Sequence, residues 1–541
     1  MLVVGGATVG ALIAKDVIKV GAKSAGSSGV TAGNAPDNKP TSTGAARPTT
    51  TASRPTSTPS PAACSKPDDI PKDLKGTWQD PTSWLDMADF NCSFTAETVG
   101  DLPLVGLNST WDDSARANAE VPPLEKPWGS YTSRPFRGVS IGGWLSLEPF
   151  ITPSLFSDLS YVDEYTLCEK LGPKEAAATL EKHYSTFITE ADFKAIAAAG
   201  LDHVRIPFSY WAIKTYDKDP YVFGVSWRYL LRGIEWARKY GLRVKLDLHG
   251  APGSQNGWNH SGKQGKVNWL DGPDGAANAQ RTLDLHVQLA KFFAQDRYKN
   301  VVVFYGLLNE PARALPQDDL IAWTEQAYKI VKDNGVTAVQ VFSESMRGLP
   351  PWAGKLTGYG DSLVLDVHQY TIFDNGLIGL THAERAAFAC KAYTDQVATS
   401  MDASRGFGPT MVGEWSQADT DCARYLNGVG NGARWDDTFN GKGASPHCPT
   451  GDSSCSCAMA NADPSTFTAE YKLFLQTWAE AQMSAFEKGW GWFYWTWKTE
   501  SAPLWSYQAG LAGKYLPALA YKRDFDCSKP IPSFGSLPES Y

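Results

Sequence analysis

Eight short apolar runs, separated by stretches with helical periodicity, constrain this chain more than any other feature. They are VSIGGWL, HVRIPF, RVKLDLH, VVVFYGLLN, VQVFSES, LVLDVHQY, TMVGEW and GWFYWTW. Each is nearly continuous Val, Leu, Ile, Phe or Tyr rather than an alternation of polar and apolar residues, the pattern of a parallel strand covered on both faces. Helix-like segments such as ADFKAIAAAG lie between them. Eight such strands with helical connections predict an α/β fold, a (β/α)8 TIM barrel, over residues 128–541. The gap between the first two strands is long, as are the loops after the third and the seventh, and long loops at the active end of a barrel usually build a pocket.

Two of the runs close on a glutamate. Glu310 ends VVVFYGLLNEP and Glu414 ends TMVGEW, so both carboxylates are expected at the barrel mouth, on the fourth and seventh strands. Each could instead cap a helix or pair with an arginine. Two carboxylates facing one another across a mouth, however, are the minimum equipment for hydrolysing a glycosidic bond. Pro311 is expected to turn Glu310 out of strand geometry and into the cleft. Arg205, in VRIP, would keep one carboxylate ionised while burial holds the other protonated. Asn309 is placed to donate to a sugar hydroxyl beside the reacting carbon. His249 and His368 both finish strands, with Tyr370 following. Trp495, in YWTW, is the candidate platform under a sugar ring, and Trp258 and Phe373 are candidates for an outer aromatic contact.

Composition narrows the partners. Core packing accounts for more than half of the twenty Trp; several others are candidates to line a carbohydrate cleft, since flat indoles suit the C–H faces of sugars. A net charge of −8 leaves no basic surplus to neutralise nucleic-acid phosphates, and no basic run suggests a polybasic membrane contact. The nine cysteines lack paired C-x-x-C spacing, so disulfides fit them better than zinc. With the triplets at Asn91, Asn108 and Asn259 they favour a secretory route. No metal or organic cofactor is expected.

The residues before the barrel divide into three. Residues 1–23 begin with LVVGGATVGALIA, too short to span a bilayer and without a basic flank; they read as a tail or as part of a membrane anchor. Residues 24–63 are Ser/Thr/Pro-rich and are expected to form a disordered stalk or linker. Residues 64–127 carry Trp78, Trp84, Phe90, Phe94 and Trp111, aromatics that need a surface to bury against, so an irregular extension packed on the barrel is expected.

From Phe136 to Cys527, the segments RGVSIGGWLSLEPFITPSLF, VRIPFSYW, LDLHGAPGSQNGW, NEP, HQY, GEWSQADTDCARYLNGVG and WTWKTESAPLW resemble, in order, the fungal exo-β-1,3-glucanases of glycoside hydrolase family 5. The stalk and possible anchor resemble that family's membrane-bound branch. The resemblance implies a retaining exo-β-1,3-glucosidase acting on cell-wall glucan, with Glu310 as proton donor and Glu414 as nucleophile. It implies sugar contacts from Glu148, Arg205, His249, Asn309, His368, Tyr370 and Trp495, and an aromatic pair at the entrance from Trp258 and Phe373. A monomer at the cell membrane with an extracellular catalytic domain is expected; the alternative is secretion to the wall. Other β-glucosidic linkages, transglycosylation, and glucan binding without catalysis stay open. The resemblance also suggests Cys390–Cys527, Cys422 with Cys448, Cys455 or Cys457, and Cys64–Cys92, leaving Cys168 free. Two departures stand out. The chain reads G-W-N-H-S-G where secreted members commonly have G-F-D-N-S-G, placing Asn259 and His260 in that loop. The fifth strand ends F-S-E-S, adding the carboxylate of Glu344.

Overall fold

The computed structural model describes residues 65–84, 94–105, 110–441 and 445–540. All eight anticipated strands form one closed parallel barrel. They are β1 (Phe136–Ser140), β2 (His203–Ser209), β3 (Arg243–Gly250), β4 (Val302–Gly306), β5 (Val339–Ser343), β6 (Leu363–Gln369), β7 (Thr410–Trp415) and β8 (Gly491–Tyr494). Each pairs with the next in sequence, and β8 closes on β1 with Gly491 opposite Phe136. Every residue of β2, β3 and β7 is buried, which is why these runs read as continuous apolar sequence.

The two ends of the barrel differ in chemistry. The N-terminal end is plugged by Val121, Trp128, Tyr131, Phe136, Phe304, Trp490 and Phe493, so water is excluded from below. Further along, the lumen turns polar: Lys245 pairs with Asp366, and Arg205 lies 3.0 Å from Asp247. Charges this deep persist only when paired, and their pairing carries polar chemistry up to the mouth.

Residues before β1 pack on the outer helix α1 (Val225–Lys239), whose three arginines 228, 232 and 238 are all buried. Arg228 donates to the Trp78 carbonyl at 3.1 Å and lies over the Trp84 ring at 4.7 Å. Arg238 pairs with Asp113, and Trp227 Nε1 donates to the Pro103 carbonyl. The extension thus supplies acceptors and ring faces to guanidinium groups that would otherwise face water. The expected stalk and tail, Phe90, and the Cys64–Cys92 pair lie outside the described residues.

Among the described residues there are three disulfides. Cys390–Cys527 ties the segment after β6 to the C-terminal tail. Cys422–Cys457 and Cys448–Cys455 fasten the long loop after β7. Among the described residues the free cysteine is Cys168, which is buried.

Candidate active site

Glu414 is the penultimate residue of β7 and pairs in register with His368 of β6. Its neighbour Gly413 is required by close approach: a Cβ there would lie 2.0 Å from an Asp366 carboxylate oxygen. Glu414 Oε1 accepts from Arg205 at 2.6 Å, and its Oε2 accepts from the Tyr370 hydroxyl at 3.0 Å. Both oxygens are therefore aimed by donors from neighbouring elements.

Glu310 does not end its strand. β4 stops at Gly306, and Glu310 follows four residues later with φ of +41°, a left-handed conformation outside strand geometry. Gln255 holds the turn: its amide nitrogen donates to the carbonyls of both His249 and Asn309, at 2.7 and 2.9 Å, fixing it from outside. A non-glycine residue held this way stores strain of order 1–3 kcal/mol, and the carboxylate lands in the mouth.

His368 joins the two glutamates. Its Nδ1 lies 2.5 Å from Glu310 Oε1 and 3.5 Å from Glu414 Oε2. One oxygen of each carboxylate and a ring nitrogen of His368 all lie within 4.8 Å of one another. That spacing would also suit a metal ion's ligand set. The same carboxylates also face protein groups: Glu414 accepts from Arg205 and Tyr370, and Glu310 lies against His368. Burial opposes charge on His368, but Glu414 and Glu310 outweigh it and push its pKa up to about 9. Burial was expected to keep Glu310 protonated. Burial does raise its pKa, but the facing His368 imidazolium overrides this and holds the carboxyl well below its usual range. The two groups thus hold one proton between them.

Arg205, fully buried, also donates to Asn309 Oδ1 at 2.7 Å, leaving the buried Asn309 Nδ2 without a protein partner. Its charge is braced by Asp247, whose other contact is His249 Nδ1 at 2.8 Å. Burial opposes both charges; Arg205 and His249 keep Asp247 far below the ordinary carboxylate range, and Asp247 and Glu148 push His249 up to about 9. Glu148 Oε1 stands 3.8 Å from His249 Nε2. Trp495 stacks on His249, rings 5° from parallel, and lies 5.3 Å from the Arg205 guanidinium. Trp258 and Phe373, 46% and 40% exposed, stand as open ring faces. Phe373 is edge-on to Tyr370, which touches Glu414.

The structure thus links Glu148, Arg205, His249, Asn309, Glu310, His368, Tyr370, Glu414 and Trp495 in one network. Three partners escaped the sequence reading. Asp247 and Asp366 had a usable signal: D-x-H recurs in LDLH and LDVH, and a period of two puts the acid on the histidine's face. Gln255 had none, and His260, marked in the sequence only as a departure in its loop, joins the site. His260 Nε2 lies 3.1 Å from Glu310 Oε2. Glu344 is buried, and its carboxylate accepts from the backbone of Arg347 and Gly348; burial pushes it up to about 7.

Fold and site together define the class: a parallel barrel with two carboxylates meeting at its C-terminal mouth is the frame of a glycoside hydrolase. Residues 170–435 match the family model described as cellulase (glycosyl hydrolase family 5), and the chain belongs to that family. It is 58% identical over 482 residues to the Aspergillus clavatus protein described as "Probable glucan 1,3-beta-glucosidase D", covering 88% of this chain and 58% of that one. A Neosartorya fischeri protein of the same description is 56% identical over 481 residues, with 88% and 57% covered. The chain therefore spans under three fifths of the length of these relatives. Among solved structures, "Crystal structure of rutinosidase from Aspergillus niger" superposes with a TM-score of 0.54 at 19% identity, covering 71% of this chain and 98% of that one, a likeness of fold.

Proposed function

We propose that this chain is a retaining exo-β-1,3-glucosidase that removes glucose from the ends of β-1,3-glucan. The observation that carries the reaction is the Glu310–His368–Glu414 cluster, with its three ligand atoms within 4.8 Å. Carboxylates this close leave no room for a water between nucleophile and sugar, so the second acts directly on the anomeric carbon and configuration is retained. Glu414, oriented by Arg205 and Tyr370, attacks that carbon while the proton held between His368 and Glu310 passes to the leaving oxygen. Glu310 then takes a proton from water, whose oxygen displaces Glu414 and frees glucose. The unpartnered Asn309 amide donates to the adjacent sugar hydroxyl, and Trp495 is the floor beneath the ring. The glucan, its 1,3 linkage and the removal of single glucoses rest on the description of the relatives.

Three disulfides support an oxidising location, and we place the barrel outside the cell, anchored through the N-terminus. No helix among the described residues is long and apolar enough to cross a membrane. The roles are tested by Glu414→Gln and Glu310→Gln on laminarin. Both should lose at least about 10²-fold in kcat, with the product of the intact enzyme released first as the β-anomer. Near-wild-type turnover in either variant sinks the assignment.

A further inference from the structure

Glu148 lies in the loop after β1, past the last bridge to β2 at Leu145 and Phe208. Its backbone is held through the preceding residue, where the Leu147 N–H donates to Glu164 Oε2 at 3.0 Å. Glu164 opens the helix Glu164–Thr186 and is fully buried. Burial pushes its pKa up to about 8, so near neutral pH most of it is the uncharged acid. Its other oxygen, Oε1, is buried without a hydrogen-bond partner, as are Trp211 Nε1 and the Tyr184 hydroxyl, which face the same carboxyl. A carboxyl so placed is unfavourable, and an apolar side chain of similar volume would fill the space at lower free energy. What an apolar side chain cannot do is accept from Leu147.

The residues beside Glu164 fasten a second segment of the mouth. Asp163, the N-cap, accepts from Thr166 N at 2.7 Å and from Gln264 N at 2.6 Å, and the Tyr165 N–H donates to the Gly262 carbonyl at 3.0 Å. Gly262 and Gln264 follow directly on the turn Asn259–Ser261, in the loop that bears Trp258 and His260. Three consecutive residues thus grip both the approach to Glu148 and the entrance loop. We propose that Glu164 is a positioning residue for Glu148: by accepting from Leu147 it sets the backbone from which the Glu148 carboxylate reaches the first sugar. This rests on the reading of Glu148 as a sugar contact at the mouth of a glucosidase. Glu148 Oε1 stands 3.8 Å from His249 Nε2, and His249 stacks on Trp495, so a displaced Leu147 disturbs the floor of the pocket. Glu164 acts only through Leu147 and does not touch the sugar.

A double-mutant cycle tests this, with kcat/KM measured on an aryl β-glucoside, a substrate with one sugar that leaves out glucan contacts at the entrance. The variants are Glu148→Gln, Glu164→Met, Glu164→Gln, and Glu148→Gln combined with Glu164→Met. Met keeps the length and bulk of the side chain without the acceptor, so activity lost there does not follow from lost volume. Glu148→Gln and Glu164→Met should each lower kcat/KM about 10-fold. Together they should lower it little further, because a Glu148 already displaced has less to lose. Glu164→Gln, whose amide oxygen can accept from Leu147, should recover most of the activity. Losses that multiply to about 100-fold, or a Glu164→Gln as poor as Glu164→Met, overturn the proposal. Should Glu164→Met not fold, Glu164→Asp, with its carboxyl one methylene short of Leu147, takes its place in the same cycle with the same outcomes. Failure of the underlying reading looks different: Glu148→Gln alone would keep wild-type kcat/KM, and the proposal would fall with it.

Discussion

Asp247 shows how one side chain can govern a site without reaching the substrate. It sits between Arg205 and His249, buried, with both partners charged. The signs are opposite for the two kinds of group. Asp247, lowered in the fold, contributes stability above its unfolded pKa and loses it only at strongly acid pH. His249, raised from 6.5 to about 9, contributes stability fully present below pH 6.5 and lost as pH rises through about 9. At roughly 1.4 kcal/mol per unit, the latter contribution is on the order of 3 kcal/mol. Wild-type stability, followed by urea denaturation, should therefore fall between about pH 6.5 and 9. In Asp247→Asn the His249 share of that slope should flatten, with kcat reduced because Arg205 loses a brace. An unchanged slope would show that the pair is not coupled to folding.

Among the elements, the strands were legible and the turns above them were not. A run buried on both faces announces itself by composition, so β1 to β8 could be drawn from apolar residues alone. Glu414 lies within such a run and was placed by it. Glu310 lies beyond one, where the backbone follows Gln255, a residue 55 positions earlier; Pro311 signalled only that the chain leaves strand geometry there, and no local pattern encodes the Gln255 contact. Gly413 offers a test of how tightly an element sets the site. Gly413→Ala drives a methyl into the Asp366 carboxylate, which already holds Lys245. Overpacking of this kind costs about 1–3 kcal/mol, and because Glu414 is the next residue, kcat should fall more than the stability loss at assay temperature explains. Thermal denaturation alongside kcat measures both. A variant that is less stable but fully active would show that β7 can shift without moving its carboxylate.

At the scale of the whole molecule, the disulfides do unequal work. Cys390–Cys527 closes 137 residues, a span that includes β7 with Glu414, the long loop after it and β8, whereas Cys448–Cys455 closes only 7 within one loop. The entropy a cross-link removes from the unfolded chain grows with the logarithm of the loop it closes, so the long bridge is worth more, within a range of about 2–5 kcal/mol. It also holds the C-terminal tail near the helix Ala469–Phe486, where Cys527 N donates to Ser484 Oγ at 3.3 Å and Phe525 N donates to buried Glu480. Replacing Cys390 and Cys527 together by serine should thus lower the denaturation midpoint well below that of the paired Cys448 and Cys455 replacement, with kcat on laminarin nearly unchanged in both at a temperature where they are folded. The opposite order would mean that the loop after β7, which has Arg434 over the entrance ring of Phe373, is the part whose fastening limits the fold. Activity would then fall with stability in the short-loop variant, since the aromatic entrance would lose its shape first.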